Sequence, residues 1–265
     1  MTGKVVSHMK NLLKEKLLRG EKAMGVWQMT SSVDNSEILA HSGFDAVLID
    51  GEHGSMDIET AGHMITAIRT TKTTPLLRVP WNDIQLIKRG LDTGAHGVMI
   101  PMINTREEAE RAVSYCKYPP VGVRGVGAGR ASLWGSGGGD PTYAATANDE
   151  ILVIIQIEHY LAVENVYDIL SVPGIDVAFI GPGDLSQSMG IPGQMSHPKV
   201  REASKRVIDA CRKNNVVPAI MSWPGGIQDH LDQGFQLLFG GMDGAILYTG
   251  AKNVWNEFCK TTGRS

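Results

Sequence analysis

Residues 152–184, LVIIQIEHYLAVENVYDILSVPGIDVAFIGPGD, hold an apolar run, a helix-like stretch and a second apolar run. The two runs, LVIIQI at 152–157 and DVAFI at 176–180, are strand-sized and apolar at nearly every position. Continuous rather than alternating apolarity marks strands buried on both faces, as in a parallel sheet. Outward from this stretch the pattern recurs at 24–28, 45–50, 75–79, 97–100, 216–221 and 244–247, giving eight runs. Helical patterns lie at 35–42, 57–70, 83–93, 105–116, 161–171, 198–214, 226–233 and 251–260. Asp83, and Asn104 or Thr105 ahead of Glu107 and Glu108, read as helix starts; Gly43 and Gly94 read as stops. Eight βα units predict an α/β protein with a (β/α)8 TIM barrel rather than an open doubly wound sheet. No GxGxxG follows the first run, so the best signal for a dinucleotide fold is missing.

The length of 265 residues suits one such barrel, so residues 1–265 are read as a single domain. The net charge of −3 argues against nucleic acid as the main partner, which needs a basic surface. The three cysteines, Cys116, Cys211 and Cys259, form no CxxC pair, so a disulfide framework and a zinc knuckle are not expected and a reducing, cytoplasmic compartment is. No run approaches the roughly 18 apolar residues of a membrane span. Residues 9–19 alternate Leu with Lys and Glu at helical spacing, the pattern of an amphipathic helix capping the barrel, and the N-terminus lacks the apolar core of a signal peptide. Residues 117–150 make a connection of 34 residues containing Pro119-Pro120, Arg124, Arg130, Trp134 and the GSGGG run at 135–139. Its length suggests an active-site lid or an intersubunit segment, against an inert insertion, and its glycines suggest mobile backbone rather than a phosphate cradle.

Chemistry in such a barrel sits at the C-terminal ends of the strands. Reading there collects Asp50, Glu52, His53, Arg78, Gln156, Glu158 and Asp184, with Gln28 closing the first run. Arg78 in PLLRVP and Gln156 in IIQIE interrupt buried strands, so each must find a partner; a plain buried ion pair and a core hydrogen bond are the structural alternatives. Glu158 and Asp184, from adjacent strands, can converge on a hard cation such as Mg2+ or Mn2+, or else serve as a general acid/base couple without metal. Gly181-Pro182-Gly183 would let backbone N–H groups approach a bound carboxylate. The eight histidines show no HxH or HExxH spacing; His53 is placed best, and Asp50, three residues earlier, could orient its ring. No lysine falls at a strand C-terminus, which disfavours Schiff-base chemistry.

LIDGEHGSMD, LLRVP, GVMIPMINTREEAE, YPPVGVRG, VIIQIEH and FIGPGDLSQSMG occur in that order over residues 20–250. Together they resemble the HpcH/HpaI aldolase family, the class II, metal-dependent pyruvate aldolases that include 4-hydroxy-2-oxoheptanedioate and 2-keto-3-deoxy-L-rhamnonate aldolases. The resemblance implies a cytoplasmic homohexamer of barrels with the last helix exchanged between paired subunits. It implies a divalent cation (Mg2+, Mn2+ or Co2+) bound by Glu158 and Asp184, with Arg78 binding the keto oxygen of a 2-oxo acid. It further implies His53 as acid/base supported by Asp50, Gln156 and Gly183 beside the substrate, and Asp92 approaching from a neighbouring subunit; a helix-surface carboxylate is the alternative for Asp92. The implied reaction cleaves or forms 4-hydroxy-2-oxo acids as pyruvate plus an aldehyde. Oxaloacetate decarboxylase and CoA-ester lyase are the competing activities for the same pocket. The short AGRASLW segment at 128–134 and His159-Tyr160, where relatives commonly carry Thr-Arg, depart from the family where the aldehyde is selected.

Overall fold

A computed structural model describes residues 10–135 and 143–264. The strands pair in chain order, all parallel, and β8 closes on β1 to complete an eight-stranded barrel. The elements run α1 (Leu12–Leu18), β1 (Ala23–Gln28), α2 (Val33–His41), β2 (Ala46–Asp50), α3 (Ile58–Ile68), β3 (Thr74–Arg78), α4 (Ile84–Asp92), β4 (Gly97–Ile100) and α5 (Arg106–Cys116). They continue with α6 (Tyr143–Glu150), β5 (Leu152–Ile157), α7 (Tyr160–Glu164), α8 (Val166–Leu170), β6 (Val177–Ile180), α9 (Pro182–Ser188), α10 (Pro198–Asn214), β7 (Val217–Met221), α11 (Ile227–Gln233), β8 (Leu237–Met242) and α12 (Asp243–Thr262).

Alternation along each strand sorts the side chains into two cores. Val47, Ile49, Val98, Ile100, Val153 and Ile155 face the helices and pack on residues such as Ile65, Ile87, Val113 and Ile169. Ala46, Leu48, Leu76, Met99, Leu152, Ile154, Phe179 and Phe239 fill the barrel interior. Each large apolar side chain so buried stabilises the fold by roughly 1.5–3 kcal/mol. Period-2 geometry then fixes what reaches the mouth. Asp50, Arg78 and Gln156 share the inward face of their strands, two residues beyond the interior positions Leu48, Leu76 and Ile154, and Trp27 is itself part of the interior core. Gln28 falls on the outward face instead, where it accepts from Ser36 Oγ and donates to the carbonyls of Thr30 and Ser32; it braces α2 and takes no part in the mouth.

At the opposite end α1 plugs the barrel. Leu13 and Leu17 belong to the interior core, and buried Asn11 caps the helix while donating to the carbonyls of His96 and Glu150. The first nine residues and all but the first residue of the GSGGG run lie outside the described residues. Capping signals act as read: Asp83 accepts from the backbone N–H groups of Gln85 and Leu86, and Thr105 with Glu108 forms a complete capping box.

The eighth strand is displaced from its expected position. It forms at Leu237–Met242, where it pairs with β1, and 244–247 is the first turn of α12. The pair Gly240-Gly241 within LLFGGM has the local look of a turn, which masks the strand. Gly240 is there for close packing instead: a Cβ on it would come within 2.8 Å of the Met24 sulfur on β1. The stretch 161–171 also divides into α7 and α8 at Asn165. The long connection carries a 3-10 turn at Arg130–Ser132 and α6, and Arg124 within it is fully buried, bonded to Asp92 (2.8 Å) and Tyr143 (3.1 Å). None of its described residues lines the cavity at the C-terminal mouth of the barrel.

Candidate active site

A cavity of about 580 Å³ opens at the C-terminal ends of the strands. Asp50, His53, Arg78, Gln156, Glu158, Gly183 and Asp184 all line it, and no lysine does among the described residues. Asp92 does not; it sits at the end of α4, bonded to Arg124.

Asp50 and Arg78 are cross-strand partners in the β2–β3 register, and the inward face points both at the same place. Arg78 Nε donates to Asp50 Oδ1 at 2.8 Å and Nη2 to Oδ2 at 2.5 Å, a bidentate pair buried on both sides. Asp50 also accepts from the Trp27 indole N–H (3.0 Å) and from the backbone N–H groups of Glu52 and His53. Burial alone would raise the Asp50 carboxyl; Arg78 first, then Trp27 and the His53 N–H, overcome it and hold the group below the usual carboxylate range. The guanidinium lies 4.7 Å from the centre of the Trp27 ring, which packs against Phe179 and Phe239. Arg78 Nη1 makes an ion pair with Glu52 at 2.9 Å. Arg78 is thus in a buried ion pair and also exposed to the cavity, so the structural and functional expectations for it coincide. Asp50 holds the backbone of His53 rather than its ring; the ring is largely open to solvent, with its nearest carboxylate, Glu52, 4.0 Å away.

The β5–β6 side is arranged differently. Glu158 follows β5 on the inward face and is buried. Its Oε1 accepts from the Met102 backbone N–H (2.9 Å), and its Oε2 accepts from Gln156 Nε2 (2.7 Å). Gly181 is required beside it, because a Cβ there would lie 2.7 Å from Glu158 Oε2. Burial, then the charges of Asp184 and Glu52, push the Glu158 carboxyl up to about 7 against the Met102 N–H. Asp184, in the first turn of α9, is exposed in the cavity with no side-chain hydrogen bond or ion pair among the described residues. Gln156 Oε1 is buried with no partner.

Two carboxylates and an orphaned amide oxygen, all hard oxygen donors, suit a hard divalent cation. The negative charge of Glu158 and Asp184 is uncompensated, since Arg78 is already committed to Asp50 and Glu52. Among the described residues no three His, Cys, Asp or Glu side chains are grouped to enclose a metal. A cation held here would keep coordination positions for water and substrate, which a catalytic site needs.

Trp27 and Met102 were not singled out from sequence. Trp27 precedes the polar residue ending the first run, and only the inward register reveals that the tryptophan, not Gln28, faces the mouth. Met102 acts through its backbone, held at a φ of 54°, which no side-chain pattern reports.

The profile of the HpcH/HpaI aldolase/citrate lyase family matches residues 23–249. The chain is 38% identical over 253 residues to a 4-hydroxy-2-oxo-heptane-1,7-dioate aldolase of Salmonella dublin, covering 94% of this chain and 95% of that protein. It is also similar to the crystal structure of a family protein from Burkholderia cenocepacia J2315, with a TM-score of 0.90, 32% identity and coverage of 94% and 99%. The structure of the citrate synthase SbnG superposes with a TM-score of 0.85 at 28% identity, covering 95% and 99%. Barrel, mouth chemistry and a match spanning nearly every strand agree, and the chain belongs to the HpcH/HpaI aldolase/citrate lyase family.

Proposed function

We propose that this protein is a carbon–carbon lyase, a divalent-metal-dependent aldolase that cleaves or forms 4-hydroxy-2-oxo acids as pyruvate plus an aldehyde. One observation carries the reading: an arginine fixed by a buried carboxylate faces, across one cavity without lysine among the described residues, a carboxylate pair lacking charge compensation. Relatives named as aldolases support it.

Glu158 and Asp184 would hold the cation, Mg2+, Mn2+ or Co2+, which when bound supplies Lewis-acid polarisation of the 2-oxo group. Arg78 keeps N–H donors beyond those given to Asp50 and uses them on the 2-oxo oxygen, where negative charge develops. Asp50 positions that guanidinium. Gln156 holds Glu158 in place, and the Gly183 backbone lies open beside the substrate carboxylate. In cleavage, His53 removes the proton of the 4-hydroxyl, directly or through water. The C3–C4 bond breaks, its electrons pass to the enolate, and the aldehyde departs; a proton then returns to C3. His53 is open to solvent, as a proton shuttle requires.

The chain works in this reading as one barrel domain. α12 leaves Leu247, Tyr248, Val254, Trp255 and Phe258 exposed and meets the barrel mainly at β1 and β8, which supports its exchange between paired subunits of a hexamer. Asp92 would then serve a neighbour's cavity. The free thiols support a reducing, cytoplasmic compartment, and no helix among the described residues is long and apolar enough to cross a membrane.

The test is pyruvate release from a panel of 4-hydroxy-2-oxo acids and oxaloacetate, with Mg2+ or Mn2+ and then with EDTA. Metal-dependent release from the hydroxy-oxo acids is expected. Release from oxaloacetate alone would replace the aldolase by a decarboxylase, and activity surviving thorough metal removal would overturn the Glu158–Asp184 assignment.

A further inference from the structure

The cavity extends past the strand ends that carry the proposed chemistry. Its far wall comes from α10 and α11, with Val200, Arg201 and Ser204 on one helix and Asp229, His230 and Gln233 on the other. Under the aldolase reading, on which this inference rests, the pyruvyl group would lie at Arg78, Glu158 and Asp184, which leaves the far wall to the aldehyde fragment.

Most polar groups of that wall are engaged within it. Ser204 Oγ donates to the Val200 carbonyl at 2.9 Å, and Gln233 Nε2 to Asp229 at 2.9 Å. The Arg201 guanidinium and the Asp229 carboxylate, 3.8 Å apart and both largely exposed, form a loose pair at the rim. His230 is different. Its ring stands edge-on to Phe235 at 5.7 Å, which fixes its plane, and its Nδ1 is 2.9 Å from Ser222 Oγ. Ser222 is fully buried, and Nδ1 is the only side-chain partner of its hydroxyl among the described residues. A buried hydroxyl proton goes to the acceptor at hand, so Nδ1 accepts. The imidazole proton then sits on Nε2. Burial lowers the pKa of His230 and keeps the ring neutral, so this arrangement persists near pH 7. Nε2–H is left as an oriented donor with no protein partner among the described residues.

We propose that His230, with its tautomer set by Ser222, donates from Nε2 to a hydroxyl oxygen of the aldehyde fragment, and that the enzyme selects hydroxylated aldehydes over alkyl ones. A hydroxyl oxygen satisfies a lone N–H donor; an alkyl chain of the same length leaves it unmet.

The experiment measures kcat/KM for aldol addition of pyruvate, with Mg2+, to 2,3-dihydroxypropanal and propanal. The wild-type enzyme is expected to favour the dihydroxy aldehyde, and His230→Leu to lower its preference over propanal by about 10-fold. His230→Gln, which keeps a side-chain N–H, retains part of the preference, and Ser222→Ala, which frees the tautomer, falls between. A ratio within one sample is insensitive to the fraction folded. An unchanged ratio in His230→Leu, or a wild-type preference for propanal, would overturn the proposal. Deuterium exchange into the pyruvate methyl group by the wild-type enzyme, without aldehyde, tests the underlying reading separately. Its absence removes the aldolase reading and the inference together; exchange with an unchanged ratio removes the inference alone.

Discussion

At the β2–β3 side of the mouth, both oxygens of Asp50 meet protein donors, and Arg78 is held by two carboxylates and an aromatic face. At the β5–β6 side, Glu158 is buried with a raised pKa, Asp184 is unpaired and Gln156 Oε1 has no partner. The same inward register delivers Asp50, Arg78, Gln156 and Glu158, with only Asp184 coming from a helix, so the strands do not explain the contrast. Partner supply does. One half is held in place by its own partners and serves as a rigid reference that still has N–H donors to offer; the other keeps unmet electrostatic demand that a cation and a chelating substrate would satisfy. Preorganisation on one side and open valence on the other is how a small site can bind charge that develops only during reaction.

The contrast breaks most visibly at Arg78. Arg78→Ala should lower kcat by about 10²–10³-fold, as loss of a donor to a developing oxyanion does. It should also destabilise the fold by about 3–5 kcal/mol, because Asp50 is left buried and unpaired. Urea unfolding checks the second effect; wild-type stability in this variant would show that the β2–β3 half is not the locked one. Glu158→Gln should behave oppositely. Activity should fall by more than about 100-fold as a ligand charge is removed. The metal-free protein at pH 8 should nonetheless unfold at a temperature equal to or above that of wild type, since the variant removes a charge that burial disfavours.

Titration sharpens the same difference. Glu158 holds its proton more tightly in the folded protein, near 7, than in the unfolded chain, near 4.5. The folded state then binds more protons between these values, and Glu52, also raised chiefly by burial, has the same sign. Stability of the metal-free protein should therefore rise as pH falls from 8 to 6, read as a higher melting temperature in EDTA. Asp50, held low, contributes stability that is lost only in strong acid, as pH falls through its depressed folded pKa. Saturating Mg2+ should reverse the trend between pH 6 and 8, because protons compete with the cation for Glu158. No difference between the two trends would count against a cation at that carboxylate.

Seven strands were legible within one residue because burial on both faces leaves an apolar run that needs no context. The eighth was not, since Gly240, packed close to Met24 of the neighbouring strand, and Gly241, at a φ of 102°, look locally like a turn. The placement of Asp50, Arg78, Gln156 and Glu158 at the mouth was legible because a charged or amide side chain closing a buried strand is costly without a purpose; Asp184 was legible from its place just after the sixth run. Contacts set by inward register, such as Trp27 on Asp50, or made by backbone, such as Met102 on Glu158, leave no compositional mark. His230 was read only as part of a helix; its significance depends on Ser222, eight residues earlier, and on a cavity wall built by two helices.

Trp27 offers the finest cut between the two halves. Trp27→Phe keeps an aromatic ring against Phe179 and Phe239 but deletes the indole N–H that Asp50 accepts, and it weakens the face under the guanidinium. The lost hydrogen bond to a charged acceptor and the poorer cation–π contact should together cost about 1–2 kcal/mol. That corresponds to a fall of about 2–8 °C in melting temperature. Because Asp50 still has Arg78 and two backbone donors, kcat should drop only several-fold. Metal affinity, measured by calorimetry with Mg2+ or Mn2+, should stay at the wild-type value, since Glu158 and Asp184 have no bond to Trp27. A weakened metal site in this variant would mean that the two sides of the mouth are mechanically coupled through the aromatic floor, and that the locked half sets the geometry of the open one.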